Sequence, residues 1–241
     1  MAHPTDAVLD AMRSPTKEDR EVIRRSYDVA ERVHGAETRK SGEPYIVHPR
    51  AIAITLAELG MDRDTIVAGI LHDTIEDTPY TAEELEKDFG PTVRFLVESV
   101  TKLSKLKYQG LTRHVESLRR LLVATAADVR VIIIKLADRL HNMETLQYVE
   151  ERKQKRIAEE TLEIYVPIAE RLGMGLFKAQ LQDLAFKVID PEGYKNAEHF
   201  MEAQREEMEA SLAEAIKDIK RELAQGGVRL FTTETRVKGL A

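Results

Sequence analysis

The sequence of 241 residues contains no cysteine and no tryptophan, and aromatic residues make up only 5% of it. Without cysteine there can be no disulfide framework, no thiolate metal site and no thiol nucleophile, so any metal ion must be bound by His, Asp or Glu. No apolar run approaches the roughly 18 residues that a membrane-spanning helix needs, and residues 1–15 lack the basic-then-apolar pattern of a signal peptide. We therefore expect a cytoplasmic protein that does not enter a membrane.

Neither sign of charge dominates the chain. The 36 basic and 42 acidic residues give a formal net charge of −6. A chain of this net charge is not expected to bind nucleic acid or an anionic membrane through its overall electrostatic field. A negative net charge still allows a local basic patch. Hydrophobic residues at 43% and charged residues at 32% are typical of a folded globular chain rather than a disordered one.

The pattern of apolar residues predicts an all-α fold. Twelve glycines, eight prolines and few aromatic residues favour helices over a β-sandwich. One helix is predicted over residues 16–35, beginning at the capping residue Thr16, and another over residues 64–77. Residues 129–134 are rich in β-branched side chains and could form a strand, but apolar residues continue at helical spacing to Met143, so we predict a buried helix.

The composition changes after Pro191. Residues 193–225 predict one highly charged helix, and residues 228–233 alternate like a short strand that has no partner in the chain. We therefore predict two units. The first is a helical domain over residues 1–195, and the second, over residues 196–241, consists of a connecting helix and the start of a further domain whose remainder is missing.

The most informative segment is the run Leu71–Thr78. Four of its side chains are ionisable and, on a helix that turns about 100° per residue, they project within one arc. They are His72, Asp73, Glu76 and Asp77. Three carboxylates and an imidazole crowded on one face repel one another unless a cation neutralises them. A divalent metal ion is the simplest resolution.

Two further ionisable residues, His48 and Asp138, lie beside apolar runs, where a charge is unexpected without a partner. Taken singly, His48 is more often a capping or core histidine, and Asp138 is more often a salt-bridged acid. Their combination with His72 and Asp73 in a helical chain without cysteine favours a metal site. Ligands of nitrogen and oxygen suit Mn²⁺, Fe²⁺, Zn²⁺ or Mg²⁺.

Five segments around these residues carry a resemblance to known proteins. They are RKSGEPYIVHP (39–49), AGILHDTIEDT (68–78), VTKL (100–103), IKLADRLHNM (134–143) and YVPIAERLG (165–173). The order of the His and Asp residues resembles the HD metal-dependent phosphohydrolase superfamily, and the surrounding sequence is closer still to the hydrolase domain of the RelA/SpoT family, which makes and degrades the alarmone (p)ppGpp. The resemblance covers residues 15–195 approximately and implies an HD-domain helical bundle. Residues 233–239 look like the entry to that family's synthetase domain, so we expect an N-terminal fragment that hydrolyses but does not synthesise.

The resemblance implies a single Mn²⁺ ion and a pyrophosphohydrolase reaction. The implied metal ligands are His48, His72, Asp73 and Asp138. The neighbouring acidic pair, Glu76 and Asp77, is implied to orient and deprotonate the attacking water. The reaction would remove the 3′-pyrophosphate of ppGpp or pppGpp, giving GDP or GTP plus pyrophosphate, within the stringent response.

The same resemblance implies a set of contacts to a guanine nucleotide. The residues are Arg39, Lys40, Ser41, Asn142, Thr145 and Tyr165. Arg39 is implied to pack on the guanine face, which suits a planar guanidinium. The basic run of Lys102, Lys105 and Lys107 either faces phosphates or forms a solvated surface, and His141 is interpreted as a supporting residue outside the substrate contacts.

Other functions stay open at this point. One is an HD phosphohydrolase that acts on other nucleotides, which the loop over residues 39–45 argues against. Another is a regulatory module that binds nucleotides without turnover. A third is a small standalone alarmone hydrolase, although residues 193–225 exceed what such a protein needs. The expected partners are guanine nucleotides, with no direct nucleic-acid contact; a ribosome could be bound only through regions that this chain lacks.

Overall fold

The structure, a computed structural model, describes residues 3–104 and 128–227 of the chain. The helices up to residue 104 are α1 (Asp6–Ala11), α2 (Lys17–His34), α3 (Val47–Glu58), α4 (Arg63–Leu71), α5 (Thr74–Asp77), α6 (Ala82–Phe89) and α7 (Pro91–Ser104). The helices from residue 128 onward are α8 (Val129–Glu144), α9 (Glu151–Glu160), α10 (Val166–Arg171), α11 (Gly175–Ile189), α12 (Pro191–Ala203) and α13 (Arg205–Gln225). A 3-10 turn at Leu146–Tyr148 follows α8, and a π-helical turn at Thr161–Tyr165 joins α9 to α10. The predicted all-α class and the predicted helix over the β-branched run are confirmed.

Reciprocal capping pairs begin two of these helices, and the first of them, at Thr16, is predicted from the sequence. At the start of α2, the backbone N–H of Asp19 donates to Thr16 Oγ1 at 3.1 Å, and the backbone N–H of Thr16 donates to Asp19 Oδ2 at 2.9 Å. Thr81 and Glu84 form the same reciprocal pair at the start of α6. Such caps satisfy N–H groups that have no partner inside the helix, and each contributes about 1 kcal/mol.

Helix α4 lies at the centre of the core and leads directly to His72. All of its residues from Thr65 to Leu71 are buried, and it contacts α2, α3, α7 and α8. A helix that is apolar on every side needs neighbours on every side, and these four helices provide them. Burial of this helix fixes the position from which His72 projects.

Gly69 allows α3 and α4 to approach each other closely. A methyl group at this position would overlap Leu56 Cδ1 and would lie 3.3 Å from Ile52 Cγ2, both on α3. Because α3 also carries His48, the absence of a side chain at Gly69 brings His48 beside His72.

Arg130 ties together the starts of α4 and α8. Asp62 caps α4 by accepting a hydrogen bond from the backbone N–H of Thr65 at 2.8 Å, and Asp128 caps α8 by accepting one from the backbone N–H of Arg130 at 2.9 Å. The Arg130 guanidinium donates to Asp62 Oδ2 at 3.0 Å and to Asp128 Oδ2 at 2.7 Å. One side chain therefore holds together the N-terminal ends of the two helices that lead to His72 and to Asp138.

The predicted continuous helix over residues 64–77 is wrong, because α4 ends at Leu71 and α5 begins at Thr74. His72 Nδ1 hydrogen-bonds to the carbonyl of Gly69 at 2.9 Å, and the Thr74 hydroxyl donates to the carbonyl of Leu71 at 2.7 Å. Side-chain bonds of this kind compete with the backbone bonds of a helix. The break leaves His72 and Asp73 in a turn rather than on a helical face.

Two other elements differ from the prediction. Helix α1 was not predicted from the sequence, because its six residues are too few to show a period, although Val8 and Leu9 are buried where α1 meets α3. The predicted single helix over 193–225 is two helices, α12 and α13, which meet at Gln204 with φ −102° and ψ 1°. Nothing in the local sequence explains that break.

The predicted strand over residues 228–233 lies outside the described residues. In the parts of the chain that the structure describes, no helix is both long enough and apolar enough to cross a bilayer.

Candidate metal centre and adjoining pocket

Three of the four predicted metal ligands meet in the core. One donor atom from each of His48, His72 and Asp138 lies within 4.8 Å of the other two, and all three residues are buried. Asp138 Oδ1 lies 3.3 Å from His48 Nε2 and 3.9 Å from His72 Nε2. Helices α3 and α8 supply His48 and Asp138, and the turn after α4 supplies His72.

The hydrogen bonds of His72 leave one nitrogen free for a ligand. Its Nδ1 faces the carbonyl of Gly69, which only accepts, so Nδ1 carries the proton and Nε2 carries the lone pair. Nε2 is buried and has no hydrogen-bond partner within residues 3–104 and 128–227. Burial lowers the pKa of His72, but the charges of Asp73 and Asp138 outweigh it and the net shift is upward, so a proton and a metal ion compete for Nε2.

The tautomer of His48 follows from its neighbours. His48 Nδ1 lies 2.9 Å from His141 Nδ1, and that nitrogen also lies 3.0 Å from Arg39 Nη1. A guanidinium only donates, so His141 Nδ1 accepts and His48 Nδ1 is the second donor to it. His48 Nε2 then carries a lone pair toward Asp138. Burial lowers the pKa of His48, and burial together with the charge of Arg39 lowers the pKa of His141 to about 4, so both rings are neutral.

Asp138 is ionised although it is buried. Burial opposes the charged form, but the charge of Lys135 and the nearby imidazoles hold the pKa of Asp138 well below its ordinary value. Its Oδ2 accepts a hydrogen bond from Lys135 Nζ at 2.6 Å, and its Oδ1 accepts one from Asn142 Nδ2 at 2.6 Å. When both rings are neutral, two imidazole lone pairs and a carboxylate oxygen converge, which is an arrangement that a divalent cation satisfies.

Asp73 is beside this group but not within it. Its Oδ2 lies 3.0 Å from His72 Nε2 and accepts a short hydrogen bond from the hydroxyl of Tyr45. Burial raises the pKa of Tyr45, and the charge of Asp73 raises it further, so the phenol remains protonated and donates to the carboxylate. The Tyr45 ring stacks on His34 with 4.3 Å between centroids, which fixes the direction of that bond.

The acidic pair predicted to act on water lies on α5, one turn after His72. Glu76 and Asp77 are both exposed. Burial, followed by the charges of Asp73 and Glu37, raises the pKa of Asp77. A carboxylate with a raised pKa accepts a proton more readily near neutral pH than an ordinary one does.

A pocket of about 800 Å³ opens next to the cluster, and Asp138 lines it. One wall is a small hairpin over residues 37–45, in which the N–H of Arg39 donates to the carbonyl of Glu43 at 2.9 Å. Gly42, at φ +85°, makes the turn of this hairpin, a conformation that side chains disfavour. The opposite wall comes from the C-terminal half of α8, the 3-10 turn and α9.

The pocket is rich in cations. Two of them are neutralised, since Lys135 pairs with Asp138 and Arg139 Nη2 lies 3.0 Å from Glu160 Oε1. Three others, Arg39, Lys40 and Arg156, also line the pocket, and no ion pair joins them to a carboxylate among the residues that the structure describes. The surplus of positive charge suits an anionic ligand.

Most of the predicted substrate contacts line this pocket. They are Arg39, Lys40, Ser41, Asn142 and Thr145. Tyr165 does not; it is buried, with the Arg139 guanidinium 4.2 Å from its ring centroid and Arg139 Nη2 donating to its hydroxyl at 3.1 Å. Lys102 pairs with Glu98 at 3.6 Å. Lys105 and Lys107 lie outside the described residues.

Three residues of the site were not predicted from the sequence. Tyr45 holds Asp73, Arg139 covers Tyr165, and Arg156 lines the pocket. The position of Tyr45 three residues before His48 is a usable signal, because both lie where the loop enters α3. Arg156 sits in a charged helix, α9, where the sequence offers nothing to distinguish it from other exposed cations.

Comparisons with known proteins agree with this geometry. A helical fold with a buried His–Asp cluster defines the HD class, and the model of the HD domain family matches residues 26–175. The chain belongs to the HD domain family. The family match and the cluster of His48, His72 and Asp138 together indicate a divalent metal ion.

Relatives narrow the comparison to the RelA/SpoT group that the sequence resembles. The chain is 46% identical over 221 residues to guanosine-3′,5′-bis(diphosphate) 3′-pyrophosphohydrolase of Aquifex aeolicus, covering 91% of this chain and 32% of that protein. It is 46% identical over 211 residues to GTP pyrophosphokinase of Streptomyces coelicolor, covering 88% and 25%. It is 43% identical over 207 residues to the bifunctional (p)ppGpp synthase/hydrolase SpoT of Escherichia coli, covering 86% and 30%. The chain therefore spans between a quarter and a third of the length of these curated relatives.

Proposed function

We propose that this chain hydrolyses the 3′-pyrophosphate of ppGpp and pppGpp, releasing pyrophosphate and leaving GDP or GTP. The observation that carries the proposal is the position of Asp138, which belongs both to the buried metal cluster and to the wall of the cationic pocket. A phosphate held in that pocket is therefore adjacent to the metal ligands. The names of the Aquifex and Escherichia relatives support the same substrate.

The proposed metal ion is Mn²⁺, one per chain, held by His48, His72, Asp73 and Asp138. When bound, such an ion supplies Lewis acidity for a phosphoryl oxygen and for a water molecule. The residues fit this role, because the hydrogen bonds of both histidines place the proton of the neutral ring on Nδ1, which makes Nε2 the nitrogen that can bind an ion, and Lys135 keeps Asp138 ionised. Tyr45 plays the same part for Asp73 by holding its carboxylate.

Glu76 and Asp77 are proposed to orient the attacking water and to accept its proton. The raised pKa of Asp77 favours proton uptake, and the position of α5 one turn beyond the ligands provides the reach. Arg39, Lys40 and Arg156 bind the anionic nucleotide, with Ser41, Asn142 and Thr145 as polar contacts. Tyr165 acts through Arg139, whose side chain it supports.

The broader context is also a proposal. Residues 1–195 form the hydrolase unit, and residues 196–241 form a connecting segment toward a synthetase domain that would occupy part of the remaining length of the relatives. The reaction would take place in the cytoplasm during the stringent response. Guanine nucleotides are the proposed ligands, and any ribosome contact would come from regions outside this chain.

The experiment is pyrophosphate release from ppGpp with Mn²⁺ present, compared with release of phosphate products from dGTP. Selective turnover of ppGpp supports the proposal, whereas equal turnover of dGTP favours a general nucleotide phosphohydrolase. Glu76→Gln should lower the rate by about 10²- to 10⁴-fold, the usual contribution of a general base, while binding of ppGpp persists. Glu58→Gln, an exposed glutamate on α3, is the matched control and should keep the wild-type rate. A wild-type chain that binds ppGpp tightly but never turns it over is a sensor, and the proposal is then wrong.

A further inference from the structure

His141 connects the pocket to the metal cluster. It lies on α8, three residues after Asp138, and its ring centroid is 4.8 Å from that of His48. Its Nδ1 is the common acceptor for Arg39 Nη1 at 3.0 Å and for His48 Nδ1 at 2.9 Å. A single lone pair therefore serves one group from the pocket and one group from the metal cluster.

Arg39 reaches the cluster by a second route as well. Its Nη2 donates to Asn142 Oδ1 at 2.8 Å, and Asn142 Nδ2 donates to Asp138 Oδ1 at 2.6 Å. The two nitrogens of one guanidinium thus connect with two different predicted ligands, one through His141 and one through Asn142. The planar fork of arginine is suited to such a paired contact.

We propose that His141 is a positioning residue that orients His48 toward the metal ion and, through the same nitrogen, couples this ligand to Arg39 in the pocket. The inference rests on the proposed function, since it requires a metal ion at His48. A histidine that binds a metal ion commonly donates a hydrogen bond from its other ring nitrogen, the one that does not bind the metal. Loss of that hydrogen-bond partner weakens metal affinity by about 10- to 100-fold. Here the partner is a neutral histidine rather than a carboxylate, and it is shared with Arg39.

Because Arg39 and His48 share one acceptor on His141, nucleotide binding should affect metal binding. A nucleotide that draws Arg39 toward itself weakens the Arg39–His141 bond and leaves the lone pair of His141 to His48 alone. Metal affinity should then depend on the state of Arg39 even when no phosphate touches the ion. Coupling of this kind is reciprocal, so metal binding should also change the affinity of the pocket for its ligand.

The test uses two substitutions of similar size in the full chain. In His141→Asn, the side-chain oxygen can take the place of Nδ1 and accept both hydrogen bonds, whereas His141→Leu offers no acceptor. The readout is the Kd for Mn²⁺, measured by competition with a chelator of known affinity and without nucleotide. We expect the Leu variant to bind Mn²⁺ about 10- to 100-fold more weakly and the Asn variant to stay close to the wild type.

A double-mutant cycle with Arg39→Met tests the coupling. In the wild-type background this substitution should change the Kd for Mn²⁺, and in the His141→Leu background its effect should shrink, because only the route through Asn142 remains. An effect of equal size in both backgrounds would show that His141 does not transmit it.

The remaining outcomes are decisive as well. Equal Mn²⁺ affinity in the wild type and the Leu variant would overturn the inference, and so would an equal loss in the Asn and Leu variants, which would assign the effect to ring size. Circular dichroism of the metal-free variants checks that they fold; if the Leu variant does not, His141→Ala replaces it with the same expected loss. A wild-type chain that binds no divalent ion would instead refute the proposed function, so the two failures are distinguishable.

Discussion

The close approach of α3 and α4 at Gly69 allows a quantitative prediction about the stability of the packing that supports the metal cluster. Gly69→Ala adds a methyl group that overlaps Leu56 Cδ1 and crowds Ile52 Cγ2. Overpacking of a core costs about 1–3 kcal/mol, and the better helix propensity of alanine returns about 1 kcal/mol at most. Because Leu56 is fully buried, we expect a net loss of up to about 2 kcal/mol in the free energy of unfolding.

Truncation of Leu56 should partly compensate for the methyl group added at Gly69. Leu56→Ala alone should cost about 2–5 kcal/mol, since it opens a cavity. In the double variant the new methyl of Ala at position 69 occupies part of that cavity, so the combined loss should be smaller than the sum of the single losses by about 1–2 kcal/mol. Urea unfolding followed by circular dichroism, without metal, measures all four corners of this cycle.

A control cycle pairs Gly69→Ala with Leu181→Ala. Leu181 is also fully buried, but it lies on α11 and is not among the nearest neighbours of Gly69. These two losses should add. Additivity in the Leu56 cycle as well would refute the idea that contact between Gly69 and Leu56 sets the distance between α3 and α4. Because the carbonyl of Gly69 also holds His72, Gly69→Ala should weaken Mn²⁺ binding, and Leu181→Ala should not.

Three further predictions concern charged and titratable side chains. Lys135→Met leaves the buried carboxylate of Asp138 without its cation, so the metal-free protein should lose about 3–5 kcal/mol of stability. Bound Mn²⁺ should restore part of this stability. Equal losses with and without Mn²⁺ in urea unfolding would contradict this prediction. Arg130→Met should cost about 1 kcal/mol near neutral pH. Arg130 lowers the pKa of Asp128 below 3.8, and, against burial, hydrogen bonds from Thr65 followed by the charge of Arg130 lower the pKa of Asp62 below 3.8. The contribution of Arg130 is therefore present above pH 3.8 and is lost as the pH falls below it. Wild-type and variant unfolding curves that fail to converge in acid would argue against the pairing. Because His72 must lose its proton to bind a metal and its pKa is raised above 6.5, the apparent affinity for Mn²⁺ should fall as the pH drops through that raised value, and a pH-independent titration would be inconsistent with His72 as a ligand.

Helices that the sequence marks with a cap or a long apolar period are found where they are predicted. Thr16 caps α2, and the run 129–143 is helical because its apolar spacing extends beyond the β-branched residues. The short helix α1 was missed because its two buried residues gain their meaning only from contact with α3. Local sequence does not encode that contact.

The candidate site was likewise predicted only in part. The sequence pointed to His48, His72 and Asp138, which lie far apart along the chain and do come together. It predicted that His72 and Asp73 share a helical face, and the turn between α4 and α5 contradicts this, because hydrogen bonds from side chains to carbonyls end the helix there. The bond that His72 Nδ1 donates to the Gly69 carbonyl is local, but the bond that His48 Nδ1 donates to His141 joins α3 to α8 and could not be read from spacing along the chain.

Measurement of bound metal tests the central claim most directly. The chain is loaded with Mn²⁺, freed of excess ion by gel filtration and analysed for metal by mass spectrometry, alongside His72→Ala and the exposed control Asp10→Ala. We expect one ion per chain in the wild type and in the control, and almost none in His72→Ala. Retention of a full equivalent of metal by His72→Ala would show that the buried cluster is not where the ion binds.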